Sequence, residues 1–163
     1  MNIAQLTKAA IAFDHGDARR IQHFLKVHAY AALIGQLEKL PAKTQESLEA
    51  AAILHDIGIH AAQEKYNSSA GKYQELEGPA PAREILTKLG GCSAAFIDRV
   101  CFLIAHHHTY TDIDAPDYQI LLEADFLVNA YEDDLSAAAI HSFRSKVFRT
   151  PTGCWLLDTI FEK

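Results

Sequence analysis

The residues best placed to do chemistry are imidazoles and carboxylates standing inside greasy segments. His55-Asp56 closes the apolar run Ala51-Ala52-Ile53-Leu54, and Asp125 interrupts Leu121-Leu122-Glu123-Ala124-Asp125-Phe126-Leu127-Val128. His23 shares a helix face with Val27 and Ala31 at spacings of four. Three consecutive histidines, His106, His107 and His108, follow Ile104-Ala105. Burying an unpaired carboxylate costs several kcal/mol, so Asp56 and Asp125 each demand a cation or dense hydrogen bonding. Taken singly, each group has a plain alternative. A histidine on an apolar face is more often core than ligand, and histidines at a helix end can be solvated or favoured by the helix dipole. Taken together, separate helices would each need their own reason for a costly polar group, whereas one shared divalent cation accounts for all of them. Imidazole and carboxylate without thiolate suit Mn, Fe, Ni, Co or Mg better than a structural cysteine-rich zinc site.

Those groups must be carried by helices. A short apolar-rich helix is expected over residues 3–13, closed by Asp14-His15-Gly16, and Asp17 is placed to cap a long helix reaching about residue 40. Pro41 precedes an Ala- and Leu-rich helix over 44–54, after which Ile57-Gly58 breaks the pattern and Gly58 lets the chain turn away. Residues 67–71 read as a polar turn. Pro79 or Pro81 opens a helix with Ile85, Leu86 and Leu89 in register, ended by Gly90-Gly91. Ser93 caps a helix through 105, residues 109–116 form a loop, and helices follow over 117–131, 135–148 and after Gly153. No run alternates apolar and polar residues as a half-buried strand does. The pattern predicts an all-α bundle of about six to eight helices, organised as one domain over 1–163.

With 163 residues and 49% hydrophobic content, the chain can bury a core without a metal, so a bound ion would serve chemistry. The net charge of -6 argues against a nucleic-acid platform but not against a small anionic substrate, since a bound cation inverts the local field. Cys92, Cys101 and Cys154 are odd in number and lack CxxC spacing, which fits reduced thiols in the cytoplasm. No stretch has the roughly 18–20 apolar residues of a membrane span, and none reads as a signal peptide.

The order H…HD…H…D on helices resembles the HD superfamily of metal-dependent phosphohydrolases. The matching pieces are His23-x-x-x-Val27, Ala52-Ile53-Leu54-His55-Asp56-Ile57-Gly58, Ile104-x-x-His107 and Glu123-Ala124-Asp125-Phe126-Leu127. They span most of the chain, and the His-Asp-Ile-Gly element is the most specific. The resemblance implies that His23, His55, Asp56 and Asp125 hold a primary metal. His107, with His108, is similar to the extra histidines of relatives with a second metal, and Glu77 lies near where such relatives carry another ligand. His28 does not match the motif and is read as helix surface or core. Ile59 stands where HDIGK members have Lys and no GYP follows the histidines, so cyclic-dinucleotide hydrolysis is not expected.

A phosphohydrolase of this kind uses a metal to acidify water and polarise a phosphoryl oxygen. Asp56, with His55, would form the catalytic pair, Asp56 orienting the attacking water or taking its proton. Lys65, Lys72 and Arg83 are candidates for a supporting positive charge, Lys72 also for a place at a second metal or the substrate. The substrate would be a nucleotide or another small phosphate ester. Two other readings stand beside this one, a non-catalytic metal- or nucleotide-binding signalling module and a di-iron oxygenase of the same superfamily. GxxxxGK[ST], HExxH, GxSxG and GxGxxG are all missing from the sequence.

Overall fold

In the computed structural model, which describes residues 1–161, the chain forms ten helices, and no strand occurs among the described residues. They are α1 (Ile3–Phe13), α2 (Ala18–Leu37), α3 (Ala42–Leu54), α4 (Ile59–Tyr66), α5 (Gly71–Glu77), α6 (Pro79–Leu89), α7 (Ala94–Ile104), α8 (Pro116–Glu132), α9 (Ala137–Lys146) and α10 (Pro151–Phe161). The all-α expectation holds, but the count exceeds six to eight. The two additions are α4 and α5, short helices in a stretch that reads as a break and a polar turn.

Capping explains several boundaries. The Asp17 carboxylate accepts the Arg20 N–H at 2.9 Å and starts α2, and the Ser93 hydroxyl accepts from Phe96 N at 3.2 Å and starts α7. Asn67 ends α4 in the left-handed conformation, with φ 49°.

Helix α8 is the axis of the fold. It is buried without a break from Asp117 to Val128, which is why its sequence is apolar nearly all round. Helices α2, α3 and α10 pack on it, α3 also lies on α2 and α7, and α6 pairs with α7. Leu6, Phe24, Ile34, Leu48, Leu54, Leu103, Ile104, Leu121 and Leu122 fill the space between them. This packing sets the C-terminal ends of α3 and α7 side by side, facing α2 and the middle of α8.

The opposite face of α8 is held by an internal carboxylate. Glu123 is fully buried and accepts from Gln119 Nε2 (2.7 Å), from the backbone N–H of Arg149 (2.6 Å) and Thr150 (2.9 Å), and from the Thr150 hydroxyl. Burial raises its carboxyl, and these donors work against that rise. The corner before α10 is thereby tied to α8.

Candidate metal centre

His55 and Asp56 occupy the tight turn after α3, where Ile57 N–H returns to Leu54 O (3.1 Å) and Ile59 N–H to Asp56 O (3.0 Å). Both side chains are therefore delivered at one point. His107 and His108 occupy the equivalent turn after α7, while His23 lies in α2 and Asp125 in mid-α8. His55 is 0%, His107 1%, His23 3%, Asp125 4% and Asp56 7% exposed, so water does not satisfy them.

Hydrogen bonds to the far nitrogens fix what these rings present. His55 Nδ1 donates to Ala52 O at 2.9 Å and His107 Nδ1 donates to Ile104 O at 2.7 Å, since a carbonyl can only accept. His23 Nδ1 donates to the Glu132 carboxylate at 2.9 Å. In its neutral form each ring turns an Nε2 lone pair inward, the second-contact arrangement common among metal-bound histidines.

Those lone pairs converge on carboxylate oxygens. His23 Nε2 and His55 Nε2 are 3.2 Å apart, and Asp125 Oδ1 lies 3.2 and 3.4 Å from them. Asp56 Oδ2 lies 3.5 Å from His23 Nε2 and 3.7 Å from His55 Nε2. Four acceptors facing one another are stable only around positive charge. Ligands about 2.0–2.2 Å from an ion stand about 2.8–3.1 Å apart in octahedral and about 3.3–3.6 Å apart in tetrahedral geometry, so the donor set is spaced closely enough to close on a divalent metal.

The protein's own electrostatics make the same demand. Burial opposes charging of His23, yet the hydrogen bond to Asp125 and the Asp56 charge raise its pKa to about 9. His55 is raised despite complete burial by Asp56 and Asp125. Burial would raise Asp56, but His55, His107 and Arg20 hold it well below the carboxylate range, and Asp125 is lowered against burial by His23 and His55.

Asp56 also belongs to a second cluster. One atom each from Asp56, His107 and His108 lie within 4.8 Å of one another, as do atoms of His23, His55 and Asp56. His107 Nε2 faces Asp56 Oδ1 at 3.5 Å, and neither His107 Nε2 nor His108 Nε2 has a hydrogen-bond partner. Burial, reinforced by the neighbouring His107, lowers His108 to about 4, so its ring is neutral at pH 7. His106 points away, with Nδ1 bonded to Phe102 O at 2.7 Å and its ring packed on Phe102.

The other residues singled out from the sequence lie outside this cluster. Glu77 is bound by Lys65 and by the Tyr66 hydroxyl (2.8 Å). Lys72 stands over the Tyr73 ring at 4.7 Å, and Arg83 pairs with Asp98 at 2.7 Å. His28 meets Glu49 at 3.0 Å. The carboxylate that does reach the histidine run is Glu75, whose Oε1 accepts from His108 N–H and the Thr109 hydroxyl, each at 2.9 Å. Gly58 is also needed for a reason other than the one expected. Its φ is -80°, open to any residue, but a Cβ there would stand 2.5 Å from Gly78 N and 2.7 Å from Gln74 O.

Several working residues carry no sequence motif. The cation at the centre is Arg20, whose Nη1 donates to Asp56 Oδ2. Asn129 Nδ2 donates to Asp125 Oδ1 at 2.9 Å, and Glu132 orients His23. A cavity of about 330 Å³ opens at the cluster, its lining including Arg20, His23, Asp56 and Asp125 together with the aromatic rings of Tyr110 and Phe126. Larger grooves of about 810 and 940 Å³ lie elsewhere, and neither holds a group of metal-competent atoms among the described residues.

Comparison with known proteins gives two matches. A family profile described as the HD domain fits residues 20–145. A solved structure of a predicted HD superfamily hydrolase from an uncultured Thermotogales bacterium is 26% identical, with a TM-score of 0.64 over 96% of this chain and 82% of that one. No curated protein matches significantly.

Proposed function

Because this chain belongs to the HD domain family, we propose that it is a metal-dependent phosphohydrolase acting on a small phosphate ester, a nucleotide among the candidates. The reading takes residues 1–163 as one domain working in the cytoplasm, with His23, His55, Asp56 and Asp125 as ligands of a Mn, Fe, Ni, Co or Mg ion. The observation that carries it is Asp56. Its two oxygens face different histidine clusters, Arg20 is bound to it, and all of this lies at the floor of one small cavity.

An ion held there supplies acidified water and a polarised phosphoryl oxygen. The protein's residues do the rest. Asp56 orients the attacking water, whose proton passes to solvent, and Arg20 holds the phosphoryl oxygens while negative charge grows on them. Glu132 and Asn129 fix His23 and Asp125, so the polar groups need not reorganise during reaction. Water oxygen joins phosphorus, the ester P–O bond breaks, and the departing alcohol oxygen is protonated from solvent.

Phosphate release from a panel of monoesters with added Mn, alongside elemental analysis, tests the proposal. Asp56→Ala is expected to lose bound metal and activity together, and Arg20→Ala to keep metal but lose about 10²–10³-fold in rate. Full phosphate release by Asp56→Ala would refute the assignment. The Asp56, His107 and His108 group also favours a second reading, a two-ion centre that in its di-iron form would be an oxygenase. Iron in the purified protein, with visible absorption and no phosphate release, would select that alternative.

A further inference from the structure

Most hydrogen-bond donors on the wall of the metal cavity are already engaged by the protein. Arg19 is paired with Asp133, Gln74 Nε2 with Ser69 O and Asn129 Nδ2 with Asp125. Arg20, bound to Asp56, has its remaining donors for the phosphoryl oxygens. The Tyr110 hydroxyl differs from all of these. It makes no hydrogen bond among the described residues, and its residue is 44% exposed, so a molecule entering the cavity can reach it.

That hydroxyl is also held in place. The chain leading into Tyr110 is pinned by Glu75, which accepts from His108 N–H and the Thr109 hydroxyl, and by the buried Tyr118 hydroxyl, which donates to Thr109 O at 2.6 Å. The Tyr110 ring meets Phe143 at nearly a right angle, with centroids 5.1 Å apart, and Phe143 is stacked on Phe126 at 3.7 Å. Phe126 follows Asp125 in α8, so the ring is braced against the helix that carries a candidate metal ligand. The oxygen itself lies in the field of the cluster, since partial burial and the Asp125 charge push the hydroxyl up to about 12. An accessible donor fixed from both sides is preorganised for a charge that develops in front of it.

Hydrolysis of a phosphate ester loads charge onto two kinds of oxygen. The non-bridging oxygens have the metal centre and Arg20, but the ester oxygen, which takes up charge as its bond to phosphorus breaks, has no donor among the groups assigned so far. A phenol suits that place. It retains its proton near neutral pH, and being uncharged it gains most when the charge appears, not when the substrate first binds. Building on the phosphohydrolase reading above, we propose that Tyr110 is a catalytic residue whose hydroxyl donates a hydrogen bond to the departing ester oxygen. The P–O bond breaks with its electron pair left on the alcohol oxygen, the Tyr110 hydrogen bond stabilises that charge, and the proton arrives from solvent, leaving the phenol unchanged. The site is thereby equipped for esters of unactivated alcohols, whose oxygens leave poorly without help.

Tyr110→Phe keeps the ring against Phe143 and removes only the hydroxyl. The Mn-loaded wild type and variant are compared on benzyl, phenyl and 4-nitrophenyl phosphate, esters of similar size whose departing oxygens run from an unstabilised alkoxide to a nitro-stabilised phenolate. In the variant kcat/KM should fall about 10–100-fold on benzyl phosphate, less on phenyl phosphate and hardly at all on 4-nitrophenyl phosphate, the range set by a hydrogen bond to a charged group. Manganese content by elemental analysis and affinity for inorganic phosphate by calorimetry should both be unchanged. An equal loss on all three esters, or no loss on any, overturns the inference and leaves the phosphohydrolase reading intact. Wild-type turnover of the 4-nitrophenyl ester alone overturns it too. So does weaker phosphate binding by the variant, since the hydroxyl would then grip an oxygen that stays on phosphorus. If the wild type releases phosphate from neither these esters nor the wider panel, the phosphohydrolase reading falls and this inference falls with it.

Discussion

Replacing Asp14 with asparagine is expected to stabilise the protein at neutral pH. Asp14 caps the C-terminus of α1, is 5% exposed, and leaves Oδ1 buried without a hydrogen bond. The His60 ring lies beside it, with Nε2 at 3.6 Å, beyond hydrogen-bonding reach. Burial raises the Asp14 carboxyl from 3.8 to about 6, although the charges of His60 and Arg20 pull it down. A gap of about two pKa units corresponds to about 3 kcal/mol. Because the folded state holds the proton more tightly, this stabilisation is present in full below the unfolded pKa. It is lost as pH rises through about 6. Asp14→Asn has no proton to lose and escapes that loss. Its stability relative to wild type should therefore climb by up to about 3 kcal/mol between pH 4 and pH 7. Urea unfolding of both proteins at pH 4, 5.5 and 7 measures the difference, with unchanged m-values securing the comparison. A difference that is flat with pH, or that shrinks as pH rises, would refute the reasoning. A carboxylate kept at such expense, electrostatically coupled to Arg20 and Asp56, fits a region tuned for charge rather than for stability.

Two further substitutions probe how the scaffold holds the centre. Glu123→Ala strands several buried donors at the corner before α10, and urea unfolding should show a loss of about 2–4 kcal/mol with metal content unchanged. Gly58→Ala forces a Cβ against Gly78 N and Gln74 O, and should cost about 1–3 kcal/mol in thermal unfolding.

How much of the site the sequence reveals depends on whether a residue violates its surroundings. Asp56 and Asp125 stand out because a carboxylate inside an apolar run has no inexpensive resting place, and both meet at the cluster. Arg20 does not stand out. Beside Arg19 at the start of a helix it reads as solvated charge, and only the packing of α2 sends it inward while Arg19 pairs with Asp133 at the surface. Glu75 and Glu77 are two residues apart, hence about 200° apart around α5, and which of them faces the histidines depends on how that helix is seated. The long helices follow their caps and periodicity closely. Short α4 and α5 escape because a helix of two turns shows too little repeat to be distinguished from a turn.

Helix α8 turns Asp125 toward the metal cluster on one face and Glu123 toward the corner before α10 on the other, with only Ala124 between them. Adding or deleting a single residue there would swing everything downstream by about 100° and break one attachment or the other. Among descendants of this chain, gains and losses of length should therefore accumulate in the exposed segments on either side, around residues 109–115 and 133–136. The stretch from Asp117 to Val128 should pass through evolution with its residue count unaltered, however freely its leucines and isoleucines are exchanged.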